Sequence, residues 1–159
     1  MAIATGTMTI TITESLDVGT TVMDTATSVS ETITVNDIFK RVITCPTSEI
    51  TLYSTHESNV AGATFDRDLV QYVRVTNHDA SNWCAIRITD ENSDEFIMKL
   101  EAGKSFIIWT HSNDGADGAM SGGKAENAGA VPDAAIVSME AQANSGACDL
   151  ELIVACSAS

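Results

Sequence analysis

Hydrophobic and polar residues alternate with a period of two along most of the chain, which is the pattern of β-strands. The clearest case is TMTITITE, residues 7–14, where Met8, Ile10 and Ile12 share one face and threonines occupy the other. This alternation predicts a strand with one buried face and one solvated face. The Thr- and Ser-rich segment 20–35 also favours extended structure over helix.

The next part of the chain predicts two more strands followed by a loop. Residues 37–46, DIFKRVITCP, would also fit a short helix, but we predict a strand that ends at Pro46. Residues 48–56 alternate again. Residues 57–68, ESNVAGATFDRD, have the small and charged residues of a loop.

Four strands separated by turn residues are predicted between residues 70 and 110. They are VQYVRVTN, WCAIRITD, EFIMKLE and KSFIIWT. The separators contain Asn, Asp, Ser and Gly, which tolerate the backbone angles of short hairpins. We therefore expect an antiparallel meander, and a final hairpin of AIVSMEAQ and CDLELIVACS joined at residues 143–146.

These segments predict an all-β protein, an antiparallel β-sandwich or jelly roll of about nine to ten strands. A length of 159 residues suits one domain spanning residues 1–159. Within it, residues 1–35 are expected to form an extended N-terminal arm or edge strands. Residues 111–134 are expected to form a long Gly/Ala-rich loop.

The strand KSFIIWT is apolar on both faces. Phe106 and Ile108 can face the core, whereas Ile107 and Trp109 lie on the opposite face. A strand that is apolar on both sides is usually buried on both sides, so a second cover is expected. That cover is either a loop of the same chain or a neighbouring subunit. Ile107 and Trp109 are therefore the candidate protein-interface residues.

The charge balance argues against contact with nucleic acid. The chain has 22 acidic and 8 basic residues and a formal net charge of −14, so a phosphate backbone would repel it. No stretch approaches the ~20 apolar residues of a membrane helix. The N-terminus lacks the basic start and apolar run of a signal peptide, so we expect synthesis in a cytosol.

The four cysteines are expected to be buried free thiols. Cys148 and Cys156 lie on one predicted strand, eight residues and ~26 Å apart, and cannot pair with each other. They share the parity of the apolar residues of that strand, and Cys84 does the same on its own strand. No Cys-X-X-Cys motif suggests a metal or redox site.

The segment LEAGKSFIIW contains Gly-Lys-Ser, the end of a nucleotide-binding P-loop. A P-loop needs a second glycine five residues before Gly103, where Met98 stands, and a helix after it, whereas SFIIWT alternates like a strand. Gly103 is therefore predicted to be a turn residue between two strands. There is also no Gly-X-Ser-X-Gly elbow, and the chain is not expected to be an enzyme.

Metal binding has weak support. His56, His78 and His111 are each predicted at a strand end or turn, without the close spacing of paired zinc ligands. The segment SNDGADG, residues 112–118, offers the hard oxygen ligands that calcium prefers, but it lacks the final glutamate of an EF-hand. No cofactor is expected, and calcium at residues 112–118 stays an open alternative.

Three segments, VNDIFKRVITCP, YVRVTNHDASNWCAIRITD and MKLEAGKSF, follow one another in the chain. The run that they define, from about Val35 to Trp109, resembles small structural proteins in the virions of tailed bacteriophages, especially phages of marine bacteria. The resemblance covers about half of the chain and implies a jelly-roll arrangement of strands. The resemblance implies no catalytic residues.

The resemblance implies a non-enzymatic virion protein, a capsid decoration or cement protein that stabilises the head. It would be assembled in the host cytoplasm and would lie on the capsid exterior. The implied partners are the major capsid protein or other virion proteins and further copies of the chain, with a trimer as one option. No nucleic acid and no membrane are expected as partners.

Three other functions stay open. One is a head-fibre or tail component of the virion. Another is a carbohydrate-binding or adhesin-type module, which would need exposed aromatic residues on one face. The available ones are Trp83, Trp109, Tyr53 and Tyr72. The last is a small metal-dependent enzyme such as a cupin, which would need clustered histidines.

Overall fold

The computed structural model describes residues 6–14, 27–56, 65–66, 69–90, 92–109 and 136–157, which form eleven strands and no α-helix. In chain order the strands are β1 (Gly6–Glu14), β2 (Thr27–Val35), β3 (Asp37–Cys45), β4 (Ile50–His56), β5 (Phe65–Asp66), β6 (Val70–Asn77), β7 (Cys84–Asp90), β8 (Glu95–Leu100), β9 (Ser105–Trp109), β10 (Ile136–Ala143) and β11 (Cys148–Cys156).

The strands form three sheets. A five-stranded sheet has the order β5-β4-β10-β7-β8, a four-stranded sheet has the order β3-β11-β6-β9, and β1 pairs with β2 alone. All pairs are antiparallel except β4 with β5. The all-β sandwich is confirmed, with eleven strands instead of nine or ten. The additional strand is β5, whose two residues are too few to show an alternating pattern.

The core lies between the five-stranded and the four-stranded sheet. Its largest fully buried side chains come from the central strands of both sheets, and they include Leu52, Tyr53, Ile86, Met139, Val73, Val75, Leu150 and Leu152. Each such side chain contributes about 1.5–3 kcal/mol relative to exposure in water. Burial follows the alternation closely in β7, whereas in β4 the adjacent residues Leu52 and Tyr53 are both buried.

The predicted meander and the predicted final hairpin are wrong. Strand β6 pairs with β9 and β11, whereas β7 pairs with β8 and β10. Strands β10 and β11 belong to different sheets. Of the predicted hairpins in this region, only β7–β8 forms. The same turn residues occur in a hairpin and in a connection that crosses from one sheet to the other. Alternation shows which face of a strand is buried, but it does not show which strand pairs with it.

Four connections cross between the two large sheets at one end of the sandwich, which we call the crossing end. They are residues 46–49, 78–83, 101–104 and 144–147. Backbone hydrogen bonds tie them together, because the Ala143 amide donates to the Pro46 carbonyl at 2.9 Å and the Asn144 amide donates to the Trp83 carbonyl at 3.1 Å. The crossing end is therefore built from residues far apart in the chain.

Candidate interaction surfaces

The outer face of the four-stranded sheet carries an apolar strip that the chain covers itself. Tyr72 lies opposite Ala155 on one side and Trp109 on the other in the register of the sheet. The β1–β2 hairpin packs on this strip with the apolar side chains Met8, Ile10, Ile33 and Val35. A two-stranded hairpin is only marginally stable alone, so this packing holds it in place.

The predicted interface residues Ile107 and Trp109 lie on this covered strip. Both are partly buried against the hairpin, and Nε1 of Trp109 donates a hydrogen bond to Oε2 of Glu31 at 3.0 Å. The expectation that something covers the second face of β9 is confirmed, and the cover is a segment of the same chain. That Ile107 and Trp109 contact another protein stays a prediction.

The outward face of the hairpin is a ladder of hydroxyl side chains. Thr9 lies opposite Thr32, and Thr11 lies opposite Ser30 with their hydroxyl oxygens 3.2 Å apart. Threonine suits this position because its branched side chain favours an extended backbone and its hydroxyl tolerates water. The hairpin thus has one apolar face for the sheet and one polar face for solvent.

One edge strand of each of the two large sheets exposes large apolar side chains. On β3, Ile38 is 55% exposed and Val42 is 60% exposed, and we call these two residues the β3 patch. On β8, Phe96 is 48% exposed and Ile97 is 61% exposed, and they form the β8 patch. Exposed apolar side chains on a sheet edge are typical of sites where another chain docks. Sequence reasoning missed both patches, because alternation does not reveal which strand lies at an edge.

A buried asparagine joins two connections at the crossing end. Asn77 is fully buried, and its side-chain amide donates hydrogen bonds to the carbonyls of Asn82 at 2.9 Å and Leu100 at 3.3 Å. The backbone of Asn77 donates to the Lys104 carbonyl at 2.9 Å and accepts from the Gly103 amide at 3.0 Å. This one residue therefore fixes residues 78–83 against residues 101–104.

The turn after Asn77 is closed by a carboxylate. Oδ1 of Asp79 accepts hydrogen bonds from the backbone amides of Ser81 at 2.8 Å and Asn82 at 2.6 Å, and the Asp79 amide donates to Oδ1 of Asn77 at 3.0 Å. The hydrogen bond from Asn82, followed by that from Ser81, lowers the pKa of Asp79. This Asx-type arrangement explains why Asn and Asp occupy the strand end.

The turn at Gly103 has the geometry that the sequence predicts. Its φ of +68° lies in the left-handed region, which glycine enters at little cost. A second glycine at the crossing end, Gly146, makes a close approach, because a Cβ there would lie 3.0 Å from Nδ2 of Asn82 and this side chain would have to shift. The Gly-Lys-Ser letters thus belong to a strand-to-strand connection.

An ionic cluster lies on the outer face of the four-stranded sheet. The Glu151 carboxylate lies 2.8 Å from Nζ of Lys40 and 2.7 Å from Nη2 of Arg74. The hydrogen bond from Lys40, together with that from Arg74, lowers the pKa of Glu151. Two of the eight basic residues are thereby paired with a carboxylate on the outer face of the sheet.

Three of the four cysteines converge at the crossing end. Cys45 lies opposite Cys148 in the β3–β11 register, and the Cys84 thiol from the other sheet lies close to both. Burial raises the pKa of the Cys45 and Cys84 thiols, and it raises the pKa of Cys156 to about 11. All four cysteines are free and buried, as predicted. Because the thiolate is the reactive form and a raised pKa disfavours it, the Cys45, Cys84 and Cys156 thiols are held in an unreactive state.

The histidines do not form a common site in the described ranges. His78 is exposed at the crossing end, with Nε2 4.0 Å from the Glu151 carboxylate, and His56 is the last residue of β4. His111 and the calcium candidate 112–118 lie outside the described residues. Within those residues, no group of three or more histidine, cysteine or acidic side chains is arranged to hold a metal ion. The same part of the chain contains no helix that could cross a membrane.

Comparison of the chain with protein-family models gives no match, and comparison with curated proteins finds none that is significantly similar. The resemblance of residues 35–109 to phage virion proteins therefore stays a prediction. The described residues form a sandwich with a covered strip, two exposed edge patches and a crossing end joined by hydrogen bonds.

Proposed function

We propose that this protein is a non-enzymatic structural component of a tailed-bacteriophage virion, bound to the capsid exterior as a decoration or cement protein. The observation that carries the proposal is the contact between two of the segments on which the resemblance rests. Asn77, in YVRVTNHDASNWCAIRITD, is bonded to Gly103 and Lys104, in MKLEAGKSF. Because the two segments form one corner, their joint occurrence is better explained by a shared fold than by two independent turns.

The charge of the chain supports a position on the outside of a capsid. A net charge of −14 repels the phosphate backbone of packaged DNA. Among the basic residues, Lys40 and Arg74 are paired with Glu151 on the outer face of a sheet and do not form an open basic surface. A negative outer surface would also keep assembled particles apart in solution.

The β3 patch supplies a surface for contact with a capsid protein. Ile38 and Val42 point outward from the edge strand of the four-stranded sheet and are each more than half exposed. Burial of two such side chains would contribute roughly 3 kcal/mol before the costs of association. That is weak for one contact, and repetition on a symmetric shell would raise the overall affinity through avidity.

The test is the copy number of this protein in purified DNA-filled particles from its source, relative to the most abundant shell protein. The proposal expects a ratio near stoichiometric. A few copies per particle would move the protein to the alternative role of a tail or head-fibre component. Complete absence from the particles would refute a virion role altogether.

A double substitution on β3 then tests whether the β3 patch contacts the capsid. Ile38→Thr with Val42→Thr should reduce occupancy on particles without changing the fold, because both side chains are exposed on β3. Val29→Thr is the matched control, since Val29 is 64% exposed but belongs to β2. Equal occupancy of the β3 variant and the control would exclude the β3 patch as the capsid contact.

The adhesin-type alternative receives little support from the described aromatic residues. Tyr53 and Tyr72 are buried, and Trp109 is partly covered by the hairpin. One face of Trp83 is occupied by the ammonium of Lys99, which lies 5.0 Å from the ring centroid. A sugar-stacking platform needs an open ring face, so binding on a glycan array that is lost on Trp83→Ala would be required to favour this alternative.

A further inference from the structure

Strand β8 combines features that the other described edge strands lack. It is the last strand of the five-stranded sheet and exposes Phe96 on the inner face and Ile97 on the outer face. Natural sheet edges are usually protected by charge or by short length. Strand β3 is protected by Lys40 and Arg41 at its centre, β5 has only two residues, and the apolar side chains of the edge strand β9 are all at least partly buried. The centre of β8 has no such protection.

The hydrogen-bond alternation identifies which backbone groups of β8 point outward. The Asp90 amide donates to the Asp94 carbonyl at 3.1 Å, in the same register that pairs Ile88 with Phe96. Antiparallel pairs alternate between hydrogen-bonded and non-hydrogen-bonded types. Even-numbered residues of β8 therefore bond to β7, and the amides and carbonyls of Glu95, Ile97 and Lys99 face the open edge.

We propose that β8 pairs with β8 of a second copy of this chain, antiparallel and in a register centred on Ile97. A two-fold axis through Ile97 places Ile97 opposite Ile97 of the second copy, and Glu95 opposite Lys99 in both directions. On the other face it places Phe96 opposite Met98. Glu95, Ile97 and Lys99, whose backbone groups face the open edge, then all form hydrogen-bonded pairs with the second copy. The register therefore satisfies the backbone donors and acceptors of the edge.

Charge favours this register over those centred on Glu95 and on Lys99. A register centred on Glu95 would place two carboxylates opposite each other, and one centred on Lys99 would place two ammonium groups opposite each other. Directly opposed like charges destabilise a strand pair, whereas opposite charges and apolar pairs stabilise it. Glu95 already lies 3.0 Å from Nη1 of Arg87, and the incoming lysine would approach this carboxylate from the other side.

The pairing would join two five-stranded sheets into one continuous sheet of ten strands. The interface is a single strand on each side, so the dimer is expected to be weak and concentration-dependent. It should form at physiological salt, where screening reduces the repulsion between two copies that each carry a net charge of −14. The inference depends on the geometry of β8 alone and holds with or without a virion role.

The experiment uses charge complementation, followed by sedimentation velocity over a series of protein concentrations. The wild type should pass from monomer to dimer as its concentration rises. Glu95→Lys gives a strand with two lysines, and Lys99→Glu gives a strand with two glutamates. Each variant should remain monomeric alone, because like charges face each other, and an equimolar mixture should recover the dimer.

Two matched controls separate the interface from general charge effects. Glu49→Lys removes another carboxylate from Arg87, which Glu49 contacts at 2.5 Å, without touching β8. Lys104→Glu makes the same charge change as Lys99→Glu at an exposed residue of the crossing end. Both controls should dimerise like the wild type, and circular dichroism should show the native fold for all four variants.

Three outcomes would overturn the proposal. A wild type that remains monomeric at millimolar concentration would show that β8 does not pair with itself. Single variants that dimerise as well as the wild type would assign the dimer to another surface. Monomeric variants that fail to complement each other in the mixture would exclude the register centred on Ile97.

Discussion

Replacement of Asn77 tests whether the crossing end depends on one buried side chain. Asn77→Leu keeps a similar volume but removes hydrogen bonds to the carbonyls of Asn82 and Leu100 and from the amide of Asp79. Each hydrogen bond contributes about 1 kcal/mol net, and a buried group left without a partner costs a further 1–3 kcal/mol. The Leu100 carbonyl is not left without a partner by the substitution, because it also belongs to the β7–β8 ladder. The bonds to Asn82 and Asp79 and the groups left without partners therefore give an expected loss of unfolding free energy of about 3–5 kcal/mol.

The measurement is urea unfolding followed by tryptophan fluorescence, with Asn92→Leu as the control. Asn92 is an exposed asparagine in the β7–β8 turn, and its replacement should change the unfolding free energy by less than about 0.5 kcal/mol. An Asn77→Leu variant that matches this control would refute the role assigned to the buried amide.

A second substitution at the same position gives a pH signature. Asn77→Asp would place a carboxyl group against the carbonyls of Asn82 and Leu100, where ionisation is unfavourable and the pKa in the folded state is raised. Stability is then lost as pH rises above the unfolded value of about 3.9 towards the raised folded value. The deficit relative to wild type should be larger at about pH 7.5 than at about pH 4.5, and a deficit independent of pH would contradict the assigned hydrogen bonds.

Four further predictions follow from other parts of the molecule. Gly103→Ala should lower the unfolding free energy by about 1 kcal/mol, because its φ of +68° is strained for any residue with a Cβ although a Cβ there meets no atom within 4 Å; urea unfolding tests this, and no loss would contradict the left-handed turn. Trp109→Phe removes the hydrogen bond to Glu31 and should speed amide hydrogen exchange in β1 and β2 more than in β6; equal acceleration everywhere would contradict a separately held hairpin. All four cysteines should be unreactive to a thiol reagent until the protein unfolds; rapid labelling of the native protein would contradict their burial. The hydrogen-bonded Asp79 has a lowered pKa, so it stabilises the fold above the ordinary value of 3.8 and this contribution is lost as pH falls through the lowered value; Asp79→Asn should remove that dependence in acid unfolding, and an unchanged profile would show that the dependence has another source.

The sequence was sufficient to predict the buried face of several strands. Ile10 faces inward and its threonine neighbours face solvent, and Cys148 and Cys84 share the core with the apolar residues of their strands. The turn at Gly103 was also predictable, because glycine is the residue that tolerates a positive φ. These features depend on local chemistry, which a short window of sequence contains.

The partners of the strands were not predictable in the same way. Strands β6 and β7 are neighbours in the chain and alternate alike, yet they lie in different sheets. The choice is made by packing and hydrogen bonds between distant residues, such as those of Asn77 with Leu100 and Gly103. The cover over Trp109 was anticipated because β9 is apolar on both faces within its own sequence. The exposure of Ile97 was not anticipated, because it depends on the position of β8 at the edge of the sheet.

The position of β10 and β11 has a consequence for biosynthesis. Strand β10 lies between β4 and β7, and β11 lies between β3 and β6, although both follow residue 135 in the chain. During translation, the strands on either side of β10 and β11 are therefore synthesised before β10 and β11 themselves. Until that moment the nascent chain presents unpaired edges and apolar faces, which favour misassociation. We expect folding to be completed only after synthesis of β11, with a need for chaperone protection during the interval.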